Sequence, residues 1–164
     1  MTLLVAPSVG LLAPYTGSQV LPLYTTTVAV SGGQARHARA SGRAVSDDGN
    51  LDLVLRLPRE LGGSGGGTNP EQLFAAGFAA CFHGAMTLVA AARKIRMPQD
   101  IDIAATVTFG RDPADGLFLI QADLAVSLPA MDPNEAAALV AETEKVCPYA
   151  KMARVGMHST VRLV

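Results

Sequence analysis

From residue 51 a leucine recurs at every second position, Leu51, Leu53, Leu55 and Leu57, with Asp52, Val54 and Arg56 between them. A period of two means a strand with one face buried. A second such run, 117–128, sets Phe118, Ile120, Ala122, Leu124, Val126 and Leu128 on one face and Gln121, Asp123 and Ser127 on the other. With 101–109 and the intervening GRDPADG it predicts a hairpin. The β-branched LYTTTVAVS (23–31) predicts a first strand, and Arg43 opens another that the turn Asp47-Asp48-Gly49 closes. HSTVRLV (158–164) predicts a closing strand.

The helical segments are punctuated differently. GGSGGGTNPEQ reads as a flexible, mobile glycine loop leading to a helix start, with Thr68 or Asn69 as N-cap, Pro70 in the first turn and Glu71 near the positive end. The helix is expected to run to about residue 96, before Pro98, and it is apolar on nearly every side until Arg93. Such a helix is enclosed by other elements or by a second subunit. MDPNEAAALVAETEK predicts another helix, with Asp132 as N-cap and Pro133 first, and Cys147-Pro148 opens a short third one. Strands, helix, hairpin, helices and a last strand make an α+β chain with mainly antiparallel pairing. One domain over 23–164 is expected, after a loosely ordered extension over 1–22.

Composition narrows the function classes. The 164 residues are 49% hydrophobic and 16% charged, with formal net charge −1. That is a globular composition, and no basic excess prepares it for nucleic acid. Gly, Pro, His or charged residues interrupt each apolar run before the roughly 18 residues a membrane span needs, so no membrane partner is expected. MTLLVAPSVGLLAPYTGSQ lacks the positive start of a signal peptide. His37, His83 and His158 lack the spacing of a zinc helix, and no metal site is expected. The glycine run lacks the Lys-Ser/Thr of a phosphate loop. With only two cysteines, free thiols in the cytoplasm are the expectation.

Both cysteines have two readings. Cys81, in FAAGFAACFHGAM, lies several turns into its helix, beyond the reach of the positive helix end, and is by itself an inert buried thiol. Gly77 and Gly84, four before and three after it, leave room beside the sulfur or else let helices pack closely at a dimer seam. Cys147, before Pro148, sits at a helix start where partial positive charge favours thiolate; such a cysteine can equally be structural.

Two longer segments, LPRELGGSGGGTNPEQLFAAGFAACFHGAM (57–86) and VCPYAKMARVGM (146–157), resemble the two signature regions of the organic hydroperoxide resistance (Ohr) proteins, and RAVSDDGNLDLVL fits the strands before them. PRELGG and VCPYA favour this branch over the sister osmotically inducible protein C. The resemblance implies an OsmC-like fold: an intertwined homodimer whose antiparallel sheets wrap two long central helices. It implies a cysteine peroxidase reducing alkyl and fatty-acid hydroperoxides to alcohols. Cys81 is then the peroxidatic nucleophile and Cys147 the resolving thiol. Their disulfide is reduced by dihydrolipoamide or a lipoylated protein partner, and no cofactor is bound. A thiolate in an apolar pocket needs a guanidinium beside it and a carboxylate to hold that guanidinium. The resemblance assigns the carboxylate to Glu60. The arginine belongs to a turn after the first strand, written Gly-Gly-Arg-(Asp/Asn)-Gly-(Arg/His) in the family and longer here, SGGQARHARASGRAVSDDG. Arg36 fits best by order, with Arg39 and Arg43 as alternatives, while a count back from RAVSDDG places Ala40 there. Phe74, Phe78, Phe82 and Met86 are expected to shape an apolar substrate entrance, or to be dimer core. A non-catalytic redox sensor or small-ligand binder of the same fold is the alternative, with the altered arginine turn as its mark.

Overall fold

The computed structural model of the chain describes residues 11, 13–33 and 41–163. Among the described residues five strands and three helices follow one another: β1 (Val28–Ser31), β2 (Gly42–Ser46), β3 (Asp52–Leu55), α1 (Pro70–Arg93), β4 (Asp102–Arg111), β5 (Phe118–Ser127), α2 (Pro133–Val146) and α3 (Pro148–Val155), with a 3₁₀ turn at Arg59–Leu61 before α1. The strands form an antiparallel sheet in the order β1-β2-β3 and a separate β4-β5 hairpin. This is the expected α+β class. Two compact units interleave in sequence: one holds Ala76–Thr106 and the chain from Ala122 onward, the other Thr16–Ala75 and Val107–Gln121.

In the three-stranded sheet, β2 is the central strand, and its length limits its neighbours. Val28 pairs with Ser46 and Ser31 with Arg43. The Asp47 N–H still reaches the Thr27 carbonyl at 2.9 Å, but beyond it the chain turns at Gly49, whose φ is +72°. Residues 23–27, expected as strand, therefore have no ladder to join and form neither strand nor helix. β3 ends at Leu55 for the same reason, although the alternation continues to Leu57. Ala44 and Leu55 are buried, whereas Leu53 stays 36% exposed.

The glycine run after β3 is tied down rather than loose. The Gly63 N–H donates to the Pro58 carbonyl (3.0 Å) and the Gly65 N–H to Leu57 (3.2 Å). The Arg56 N–H then donates to the Thr68 carbonyl (2.8 Å) and the Thr68 N–H to the Val54 carbonyl (2.9 Å), a parallel bridge between Leu55 and Thr68. At Gly63 the lack of a side chain is required, since a Cβ there would lie 2.0 Å from the Leu57 carbonyl oxygen. This differs from the expectation of a mobile loop: the Gly63, Gly65 and Thr68 N–H groups are paired with the carbonyls of Pro58, Leu57 and Val54.

Of the two candidate caps for α1, Asn69 is the cap: its Oδ1 accepts from the Gln72 N–H at 2.9 Å. The helix stops at Arg93, one turn short of expectation. Lys94 adopts φ +58° and the Ile95 N–H reaches back to the Ala90 carbonyl at 2.8 Å, a Schellman-type end. By length and composition α1 could cross a membrane, with mean hydropathy 1.7, contrary to the expectation that every apolar run is too short. One stripe, Phe78, Phe82, Ala85, Met86, Val89 and Ala90, is packed inside the chain.

Leu139 and Thr143 of α2 and Cys147 and Ala150 complete the buried set of the same unit. Enclosing side chains the size of Met86, Leu139 and Val89 contributes about 1.5–3 kcal/mol each. Buried Thr143 satisfies its hydroxyl on the Leu139 carbonyl (2.7 Å). Asp132 caps α2 as expected, accepting from the Asn134 and Glu135 N–H groups, and Arg93 of α1 pairs with Glu142 of α2 at 3.0 Å.

The hairpin lies where its alternation puts it, but its faces are unequal. Phe118 stacks on Phe109 (centroids 4.8 Å apart) under the Arg111 guanidinium, yet is 61% exposed, while Leu124 and Val126 are half-buried. The expected final strand is not formed over 158–163. Strands need a partner's hydrogen bonds, and among the described residues no strand pairs with this segment, in which Val161 and Leu163 are fully exposed.

Candidate active site

Cys81 lies on the flank of α1's buried stripe and is half-buried. Cys147 occupies the bend between α2 and α3, closing one helix and opening the next. Its own N–H donates to the Thr143 carbonyl (2.8 Å), its carbonyl accepts from the Lys151 N–H (3.0 Å), and its backbone is extended (φ −63°, ψ 120°). Pro148, with no N–H to donate, enforces the break and suits the first position of α3. The bend turns the Cys147 side chain inward, where it is fully buried.

The two sulfurs are 3.6 Å apart and both are free thiols. A disulfide needs about 2.05 Å, so closure asks for a movement of about 1.5 Å. Burial pushes the Cys81 thiol above its ordinary value; a hydrogen bond from the Tyr149 main chain opposes this, and the neighbouring Cys147 adds to the rise. These surroundings alone thus keep Cys81 protonated near neutrality.

The gap at Gly77 is occupied. A Cβ on Gly77 would meet the Tyr149 hydroxyl oxygen at 3.2 Å and its ring carbon Cε2 at 3.3 Å. The ring also packs on Phe78, with centroids 5.9 Å apart at 58°. Gly84, in contrast, faces open space. Of the two readings of these glycines, the first, room left open, fits Gly84, whereas the room at Gly77 belongs to Tyr149. Tyr149 is the residue that sequence reasoning passed over. Its place two residues after Cys147 was visible, but not the mid-helix glycine it would meet.

The remaining expected residues are placed as follows. Phe78, Phe82 and Met86 are buried, Met86 completely, and Phe74 is half-buried. Met86 is therefore packed among the core side chains of α1's inner face. Glu60 is exposed in the 3₁₀ turn Arg59–Leu61. Arg43 is exposed on β2 and grips Asp52 of β3 with both Nε (2.5 Å) and Nη2. That bidentate pair raises the Arg43 guanidinium further and holds the Asp52 carboxyl below its ordinary value. Arg43 is thereby committed to joining two strands. Arg36, Arg39 and Ala40 lie outside the described residues. Among the described residues no three His, Cys, Asp or Glu side chains stand together as a metal site would need.

Residues 63–162 match the family of OsmC-like proteins. Over 142 residues, 86% of this chain and 94% of the relative, the sequence is 46% identical to an organic hydroperoxide resistance protein of Xanthomonas axonopodis pv. citri (strain 306). Among solved structures, an organic hydroperoxide resistance protein OsmC from Legionella pneumophila superposes with a TM-score of 0.73 at 42% identity, covering 83% of this chain and 93% of the other. The organic hydroperoxide resistance protein OhrB of Bacillus subtilis does so with a TM-score of 0.69 at 40% identity, covering 82% and 93%.

Proposed function

Since this chain belongs to the Ohr branch of the OsmC-like family, we propose that it is a cysteine peroxidase that reduces organic hydroperoxides to alcohols. The observation that carries the reading is the approach of the Cys81 and Cys147 sulfurs to 3.6 Å. Two thiols so placed can take up the two electrons' worth of oxidation that a peroxide delivers.

The thiolate of Cys81 attacks the distal oxygen of R–O–OH. An S–O bond forms, the O–O bond breaks, and the departing alkoxide takes a proton to become the alcohol. Cys81 is left as a sulfenic acid, oxidised by two electrons. The Cys147 sulfur then attacks it, expelling hydroxide that leaves as water with the Cys147 proton, and the disulfide closes. A dihydrolipoyl group, free or on a lipoylated protein, returns two electrons and two protons and becomes the cyclic disulfide; no resident cofactor is needed.

Only thiolate is nucleophilic, and burial works against it. Arg36 is the residue we assign to stabilise it, with Glu60 holding the guanidinium; a permanent charge with a planar fork can face sulfur and peroxide together. Arg39 is the second choice, since Arg43 is engaged by Asp52. Phe74, Phe78 and Phe82 supply the apolar surroundings that favour alkyl and fatty-acid hydroperoxides over hydrogen peroxide. The working form is an intertwined homodimer in the cytoplasm. Its seam is the outward face of α1, where Ala76, Ala80, Gly84 and Ala91 are small and exposed, and such side chains let helices approach closely.

The competing reading is a redox sensor that uses the same dithiol without turnover. The feature that raises it is the lengthened arginine turn, SGGQARHARASGRAVSDDG. Steady-state consumption of cumene hydroperoxide by the reduced, folded protein with dihydrolipoamide separates the two. The peroxidase reading expects turnover that Cys81→Ser abolishes. Oxidation of the thiols without turnover decides for the sensor.

A further inference from the structure

Position 77 carries no side chain in the middle of a long helix, where alanine is the better helix former. The heavy atoms nearest to the empty place are all from Tyr149: the hydroxyl oxygen at 3.2 Å, Cε2 at 3.3 Å and Cζ at 3.6 Å. The Tyr149 ring is held from a second side by Phe78. Gly77 lies one helical turn before Cys81, so the ring rests on α1 beside the sulfur.

Tyr149 is also the second residue of α3, which follows the Cys147 bend. Main-chain N–H groups in the first turn of a helix have no partner within it, and that of Tyr149 is hydrogen-bonded to the Cys81 sulfur. One residue therefore joins the two elements twice, by its side chain on Gly77 and Phe78 and by its main chain on the sulfur. Two residues before it, Cys147 holds its sulfur 3.6 Å from that of Cys81. Pro148 and the helical turn leave little freedom between these groups, so the seat of the ring sets both distances.

We infer that Tyr149 is a positioning residue: its ring, seated on Gly77 and Phe78, docks the first turn of α3 against α1. The docking aims the Tyr149 N–H at the Cys81 sulfur and keeps Cys147 within reach of it. The consequence for peroxide reduction rests on the proposed function, but the docking itself does not. A thiolate gains from the fixed N–H, and disulfide closure gains from the fixed approach. Gly77 thus serves the reaction by what it leaves out.

Gly77→Ala tests this directly, because the added methyl contests the ring's place while favouring the helix. Three measurements are made without any peroxide. They are the pH titration of thiolate ultraviolet absorbance in a Cys147→Ser background, the rate at which diamide closes the Cys81–Cys147 disulfide, and the thermal midpoint. Diamide takes two electrons and two protons from the thiol pair and becomes the hydrazine, so the oxidation is balanced. The expected result is a thermal midpoint at or above wild type, a thiolate titration moved to higher pH, and disulfide closure slowed about tenfold, the factor that a tenfold smaller thiolate fraction alone gives. Adding Tyr149→Phe to Gly77→Ala removes the atom nearest the methyl and is expected to restore part of both losses. An unchanged titration and closure rate in Gly77→Ala overturns the inference.

If Gly77→Ala does not fold, Tyr149→Ala, which removes the ring and leaves the glycine, is read in the same way, and an unchanged titration and closure rate there is equally fatal. A wild type that closes its disulfide with diamide but does not turn over cumene hydroperoxide removes the peroxidase reading and leaves the docking role standing. A wild-type peroxidase whose Gly77→Ala variant behaves normally in all three measurements removes the docking role alone.

Discussion

The sulfurs of Cys81 and Cys147 stand 3.6 Å apart although the residues are 66 positions apart in sequence. One is carried by the flank of a long helix and the other by a proline-enforced bend between two shorter ones. Neither helix alone sets the distance. It results from packing the Cys147 bend and α3 against α1, and it makes the pair a unit whose members have different tasks.

Replacing each cysteine in turn separates those tasks. Cys81→Ser is expected to lose peroxide reduction altogether. Cys147→Ser is expected to consume one equivalent of hydroperoxide and stop, with a sulfenic acid that dimedone traps on Cys81. Intact-protein mass spectrometry after one equivalent of cumene hydroperoxide reads both, and a trapped sulfenic acid on Cys147 in the Cys81→Ser protein would reverse the roles.

Burial raises the Cys81 thiol, which links the site to stability. A group that holds its proton more tightly when folded contributes stability below its unfolded pKa, about 8.5 for a free thiol. That contribution is lost as pH rises through the raised folded value. Thermal midpoints between pH 8 and 10 are expected to fall more steeply for wild type than for Cys81→Ser. Parallel curves would show that the buried setting does not act on this group.

The arginines divide by what they are already doing. Arg36→Ala is expected to slow oxidation of Cys81 about 10²–10³-fold, the usual effect of removing a preorganised electrostatic partner, and Glu60→Gln to act in the same direction. Arg43→Ala should lower the thermal midpoint slightly with little change in that rate, and Asp52→Ala should match it, since each only breaks the pair between β2 and β3. Stopped-flow oxidation by cumene hydroperoxide ranks them. A rate loss greater in Arg39→Ala than in Arg36→Ala would move the assignment by three residues.

Gly63 is a sharper test of the loop that carries the chain from β3 to α1. A methyl there collides with the Leu57 carbonyl and side chain, and Gly63→Ala is expected to destabilise the fold by about 1–3 kcal/mol, as overpacking does. Gly66→Ser meets no neighbour but must adopt φ +77°, so its smaller cost is conformational. Chemical denaturation measures both, and equal stability of Gly63→Ala and wild type would mean that the loop is not held as described.

Much of the chain was legible because its signals are local. Asp132, Pro133, Pro148 and the alternation around Asp52–Leu55 act on their immediate neighbours by capping, ring constraint and pleat, and the elements are found at these residues. The two family segments likewise marked Cys81 and Cys147. Where the reading erred, a distant partner was involved. The strand over 23–31 was cut to Val28–Ser31 by the length of β2, the glycine run was tied back to residues 54–58, and residues 158–163 found no partner strand among the described residues. The glycine at 77 is the clearest case. Sequence alone established that a side chain was missing beside Cys81, but only the tertiary structure decided that Tyr149 fills the place. Helical periodicity specifies which face a residue occupies, whereas what meets that face depends on the packing of segments far apart in the chain.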